Sequence, residues 1–204
     1  MIENVKIYGL EESIRRAKFP MSVDVDSLNS DVTSGISKLA AAPRGSGHDN
    51  FLKGIVVQFD VTFTVKVWTE AERYHWFDII SSQSTMHRIT KFDLDRAYSK
   101  YVDPRIVDIM KEKVNNYNAL VKDGHLDSLT EEELAAHREM IAERYLEILY
   151  SNPCGFKLTA GITTNYQQLK TIYGQRLTHR LPEWRQFCAW IETLPHAEFI
   201  TGKN

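Results

Sequence analysis

The chain has 204 residues, 43% hydrophobic and 25% charged, with 25 basic side chains against 27 acidic ones and a net charge of −2. This composition excludes disordered, collagen-like and coiled-coil chains, and at roughly 150 residues per domain it points to one domain spanning 1–204. The balanced charge lacks the basic excess of a DNA-coating protein, so nucleic acid is not an expected partner. Two cysteines, Cys154 and Cys188, are too few for a disulfide framework, and neither has a partner at zinc-site spacing, so no metal is expected. No stretch approaches about 18 consecutive apolar residues and the first twenty positions hold no signal-like run. The expectation is a cytoplasmic protein without a membrane partner.

Asn4–Tyr8 alternates like a short strand and Glu11–Lys18 is rich in helix formers, giving residues 1–40 the look of a β-α segment ahead of a core over 41–195. From Asp24 to Gly47 the chain is rich in Ser, Asp, Gly and Ala; Ala40-Ala41-Ala42-Pro43 ends a predicted helix. Arg44-Gly45-Ser46-Gly47 is a flexible connection whose glycines let backbone approach a ligand. Between Gly54 and Trp68, Val57, Phe59, Val61, Phe63, Val65 and Val67 recur at period two, which predicts a long core-facing strand. Thr69-Glu70-Ala71-Glu72 then reads as the capped, acidic start of a helix carrying Tyr74, His75, Trp76, Phe77, Ile79 and Ile80. That helix is apolar almost all round, so burial is expected. Ser81–Arg88 is a polar cluster whose hydroxyls compete for the backbone, predicting a loop. Two helices follow, from Asp103 to about Lys122 and from Thr130 to Tyr150, with Gly124 in the turn between them. Asn152-Pro153-Cys154-Gly155 breaks the second, Phe156–Ile162 is extended, Asn165 to about Arg176 is helical, and a last helix runs from Pro182 past Trp184 and Trp190 towards Leu194.

Three polar stations interrupt these apolar segments. The first is His48-Asp49-Asn50-Phe51, between the glycine loop and the long strand. The second is His75 with Ser81–Arg88, and the third is Asn165 with Arg176. The last two are 176 − 165 = 11 positions apart, three helical turns, so they share one face roughly 16 Å apart along the axis.

The order of the stations resembles that of the flavin-dependent thymidylate synthases (ThyX), cytosolic enzymes that methylate dUMP using FAD, methylenetetrahydrofolate and NADPH. His48-Asp49-Asn50-Phe51 is similar to the first half of the family's His-x-Ser-Pro-Phe-Glu-His segment, which also precedes a long strand. Tyr74-His75-Trp76, seven residues and then Ser84 occupy the frame of the family's Arg-His-Arg, seven residues, Ser. Asn165, Arg176 and Trp184 repeat the family's C-terminal Asn, Arg and Trp.

The resemblance covers about residues 40–195 and implies an α+β fold, a mixed sheet flanked by helices, in a homotetramer whose sites are shared between subunits. It implies that His48, His75 and Asn165 lie along FAD, that Ser84 and Arg176 face the nucleotide, and that Arg176 is the catalytic group against the uracil. Arg88, beside Ser84-Thr85, adds a guanidinium suited to the nucleotide phosphate. The implied reaction is methyl or hydroxymethyl transfer to a deoxyuridine nucleotide. Tyr74 and Trp76 depart from the family by replacing both signature arginines. That departure favours an alternative: a ThyX-like scaffold without flavin chemistry, acting as a nucleotide-binding or protein-interaction module. A third reading, a DNA-associated protein, draws on Arg176, His179, Arg180 and Arg185, and the balanced charge opposes it.

Overall fold

The computed structural model describes residues 2–122 and 129–203; Gly124, with its expected turn, lies outside them. Packing divides the chain into two compact units, Met1–Phe63 with Val67–Ser82 and Thr159–Asn204, and Thr64–Lys66 with Gln83–Leu158. The architecture is α+β.

The first unit is built on a four-stranded sheet of β1 (Ile2–Tyr8), β2 (Val56–Thr64), β3 (Phe77–Ser82) and β4 (Lys157–Asn165), in the order β1-β2-β4-β3. Period-two alternation does its work in β2: Val57, Phe59, Val61 and Phe63 are at most 3% exposed. They face α9 (Pro182–Ile191), whose Trp184, Phe187 and Trp190 rings lie 4.7–5.8 Å from those of Phe59 and Phe63. On the opposite face Gln58 donates to Thr163 (3.1 Å), and the Thr62 and Thr159 hydroxyls meet at 2.8 Å. These pairs descend along β4 as they rise along β2, and β1–β2 and β3–β4 are antiparallel as well. The expected mixed sheet is therefore antiparallel in its pairings, because β4 inserts between β2 and β3, which run the same way. Helices α1 (Leu10–Ala17), α2 (Ser34–Ala41), α8 (Tyr166–Arg176) and α10 (Glu198–Thr201) complete this unit.

The long strand ends at Thr64, where α3 (Val65–Ala71) begins: Val65 and Lys66 donate their N–H groups to the Phe156 and Cys154 carbonyls, and Val67, Trp68 and Ala71 then bury a helical stripe. Thr69-Glu70-Ala71-Glu72 thus closes a helix instead of opening one. The buried helix expected over residues 74–80 does not form; a turn leads into β3, an edge strand with Phe77 buried and Trp76, Ile79 and Ile80 exposed by 55%, 41% and 61%. An apolar run without a 3.6-residue period gives a helix no single face to bury, whereas β-branched Ile79-Ile80 suits a strand pairing along β4.

In the second unit α4 (Thr85–Arg88), α5 (Leu94–Ala97), α6 (Pro104–Val121) and α7 (Glu131–Ser151) close over Ile89, Tyr98, Met110, Val114, Ile148 and Phe156. Both long helices start where the sequence signals. Asp103 caps α6 through the Arg105 N–H with Pro104 at its first position, and Thr130 and Glu133 form a reciprocal capping box on α7. The loop expected over Ser81–Arg88 is instead the end of β3 followed by the single turn of α4.

Candidate functional site

A dense polar cluster of the first unit gathers at the C-terminal end of α8 around Arg176, whose side chain is only 14% exposed. Its Nη1 donates to Glu70 Oε2 (2.8 Å) and its Nε to the Tyr74 hydroxyl (2.7 Å). The Tyr74 hydroxyl in turn donates to Gln175 Oε1 (2.9 Å). Glu70 Oε2 also accepts from Trp184 Nε1 (3.0 Å), and His179 Nε2 lies 2.9 Å from Arg176 Nη1 and 3.5 Å from Glu70. The guanidinium sits over the Trp184 ring at 4.8 Å and the Tyr74 ring at 5.5 Å. Each of these groups fixes another, so the cation is oriented before any ligand arrives, which is what a group stabilising developing negative charge requires.

The remaining candidates of this unit are more loosely disposed. Asn165 stands at the predicted helix start, where its side-chain oxygen caps α8 by accepting the Gln168 N–H at 2.9 Å. His75, expected on a buried helix, is exposed in the turn before β3 and stacks on Trp76 with centroids 5.1 Å apart. His48 is exposed on the glycine loop, where Gly45 and Gly47 adopt φ of 87° and 83°. Its neighbour Asp49 is fully buried, bonded to Lys170 Nζ (3.0 Å) and Gln167 Nε2 (3.0 Å), and Lys170 also donates to the Ala40 and Ala42 carbonyls (2.7 and 2.6 Å). This ion pair anchors the loop that carries His48.

Ser84 and Arg88 belong to the second unit. They line a surface cavity of about 390 Å³ with Gln83, Lys91, Phe92 and Asp93. The Arg88 N–H closes the turn of α4 on the Ser84 carbonyl (3.1 Å). Two cations with a hydroxyl and an amide make a donor set for an anion, and the Asp93 carboxylate on the same wall offsets one of the two charges. The basic group invoked for DNA is partly committed to the fold: Arg176 is paired with Glu70, and Arg185 donates to the carbonyls of His179 and Arg180.

Glu70 and His179 have no place among the residues singled out by the ThyX resemblance. His179 follows Arg176 by three positions, a spacing that brings side chains together at a helix end. Glu70 is 106 residues away from Arg176 and carries no local signal. Among the described residues no group of three or more His, Cys, Asp or Glu side chains is placed to hold a metal, and no helix is long and apolar enough to cross a membrane.

Of the residues expected along a flavin, the His75–Trp76 stack is exposed aromatic surface, His48 is exposed, and the Asn165 side-chain oxygen is held as the cap of α8. A flavin diphosphate finds no cation at Tyr74 or Trp76, where the family signature has two arginines.

No protein-family model matches the chain, and no curated protein matches it in sequence. Its fold is that of solved flavin-dependent thymidylate synthase ThyX structures from Helicobacter pylori, both complexed with FAD and dUMP. One superposes with a TM-score of 0.63 at 14% identity over 98% of this chain and 96% of that one. The other gives 0.64 at 13% over 98% and 97%. At these identities the likeness establishes a ThyX-like fold along almost the whole chain.

Proposed function

We propose that the protein performs flavin-dependent methyl or hydroxymethyl transfer to a deoxyuridine nucleotide such as dUMP. The observation that carries this reading is Arg176, a partly buried guanidinium held against Trp184 and Tyr74 at the end of α8, on a fold shared with enzymes solved with FAD and dUMP. Arg176 binds the pyrimidine carbonyl edge and stabilises the negative charge that develops there as C5 becomes nucleophilic, so the chain needs no nucleophile of its own. Ser84 and Arg88 take the nucleotide phosphate in a site completed across the subunits of the assembly. His48, His75 and Asn165 line FAD, which when bound supplies the hydride chemistry that these side chains lack. Methylenetetrahydrofolate is the one-carbon donor and NADPH the reductant. The assembly is a homotetramer.

Release of tritium from C5-labelled dUMP, in the presence of FAD, methylenetetrahydrofolate and NADPH, tests the reading. Release that Arg176→Ala abolishes supports it; no release by the wild type refutes it. The competing reading, a nucleotide-binding or protein-interaction module without flavin, is favoured by Tyr74 and Trp76. The Tyr74 hydroxyl is tied to Arg176 and Gln175, and Tyr74 and Trp76 supply no cation for the flavin diphosphate.

A further inference from the structure

We propose that Glu70 is the positioning and specificity residue of this site: with Tyr74 it locks Arg176 so that the cluster receives the neutral edge of a pyrimidine and turns away a phosphate. The inference rests on the reading above and names which part of the nucleotide Arg176 meets.

An isolated arginine in a cleft recruits phosphate readily, because charge attraction and a forked donor set act together. Arg176 is not isolated. Its charge is balanced at 2.8 Å by Glu70, and the carboxylate is itself pinned by the Trp184 indole N–H at 3.0 Å. A phosphate dianion approaching the guanidinium meets that carboxylate as well, so part of its attraction is cancelled, whereas the smaller charge developing on a pyrimidine oxygen is stabilised by direct hydrogen bonds from the guanidinium. A pyrimidine amide edge is neutral and carries both carbonyl acceptors and an N–H donor. It can accept from guanidinium N–H groups beside a carboxylate and a phenol without a like-charge penalty. The guanidinium also lies over the Trp184 ring at 4.8 Å and the Tyr74 ring at 5.5 Å, two rings 77° apart that brace it from different sides. Because Nε is held by Tyr74 and Nη1 by Glu70, the side chain loses little freedom on binding.

The test compares two probes by calorimetric titration in the presence of FAD: dUMP, and 2-deoxyribose 5-phosphate, which keeps the phosphate and lacks the base. Wild type is compared with Glu70→Ala, which frees Arg176, and Glu70→Gln, which keeps the acceptor and removes the balancing charge. Glu70→Ala is expected to weaken dUMP about tenfold or more, with Glu70→Gln recovering part of that loss. Glu70→Gln is also expected to bind 2-deoxyribose 5-phosphate about fivefold more tightly, lowering the preference for dUMP. If Glu70→Ala does not fold, the shift in preference in Glu70→Gln decides alone. Unchanged preference in Glu70→Gln, tighter dUMP binding in either variant, or equal losses for both probes would each overturn the inference. A wild type that binds no dUMP would instead overturn the parent reading, and the inference with it.

Discussion

Lys170→Met should be among the most damaging single changes in the first unit, although Lys170 lies outside the polar cluster at Arg176. Its ammonium donates to the fully buried Asp49 carboxylate and to the carbonyls of Ala40 and Ala42 that end α2. Removing it leaves an ionised carboxylate buried beside the Gln167 amide, a situation that costs about 3–5 kcal/mol. The two carbonyls lose a charged donor as well, but Lys170 is 17% exposed and water can reach part of the space it vacates, so the total is about 4 kcal/mol. Against a typical stability of about 5–15 kcal/mol, that is a large fraction of the whole. Replacing both partners, Asp49→Leu with Lys170→Met, removes the stranded charge and should recover all but about 2 kcal/mol. The assay is urea unfolding at neutral pH followed by tryptophan fluorescence, which reports this unit because Trp68, Trp76, Trp184 and Trp190 all belong to it. A loss below about 1 kcal/mol for Lys170→Met, or a double variant no more stable than the single one, would refute the reasoning.

Burial pushes the Tyr98 phenol up to about 12, above its unfolded value of about 10, so its contribution is complete below pH 10 and lost as pH rises towards 12. The helical circular dichroism of wild type should therefore melt at falling temperatures across that window, and Tyr98→Phe should flatten the dependence. Gly9, at φ 72° between β1 and α1, would place a Cβ 2.6 Å from the Gly54 carbonyl oxygen, whereas one at Gly45 meets nothing within 4 Å. Gly9→Ala should cost about 2–3 kcal/mol in thermal unfolding and Gly45→Ala about 1. Arg88→Ala should weaken dUMP about tenfold in a calorimetric titration while leaving flavin absorbance unchanged; an unaltered dUMP affinity would remove Arg88 from the phosphate site.

What the sequence makes legible follows the range of the forces involved. The alternation of β2 as far as Thr64 and the helix starts at Asp103 and Thr130 are local, and each stands where the sequence reading puts it. Residues 74–80 mislead because the run is apolar on every side. Its strand state is selected by pairing with β4, more than 80 positions away, and by the Thr164 hydroxyl on the Trp76 carbonyl. Val65 and Val67 continue the period of β2, yet hydrogen bonds to Phe156 and Cys154 turn the chain into α3 before they can act as strand residues. The candidate site divides in the same way. Asn165 and Arg176 are visible through their helical spacing, while Glu70 enters only when α3 and α8 meet at Trp184.

The most direct test of the proposed function is the visible absorbance spectrum of the purified protein after incubation with excess FAD and desalting, followed by titration with dUMP. A retained flavin band that dUMP perturbs is the expected result. A colourless protein would contradict it and leave Tyr74 and Trp76 as the marks of a ThyX-like scaffold that no longer holds the cofactor.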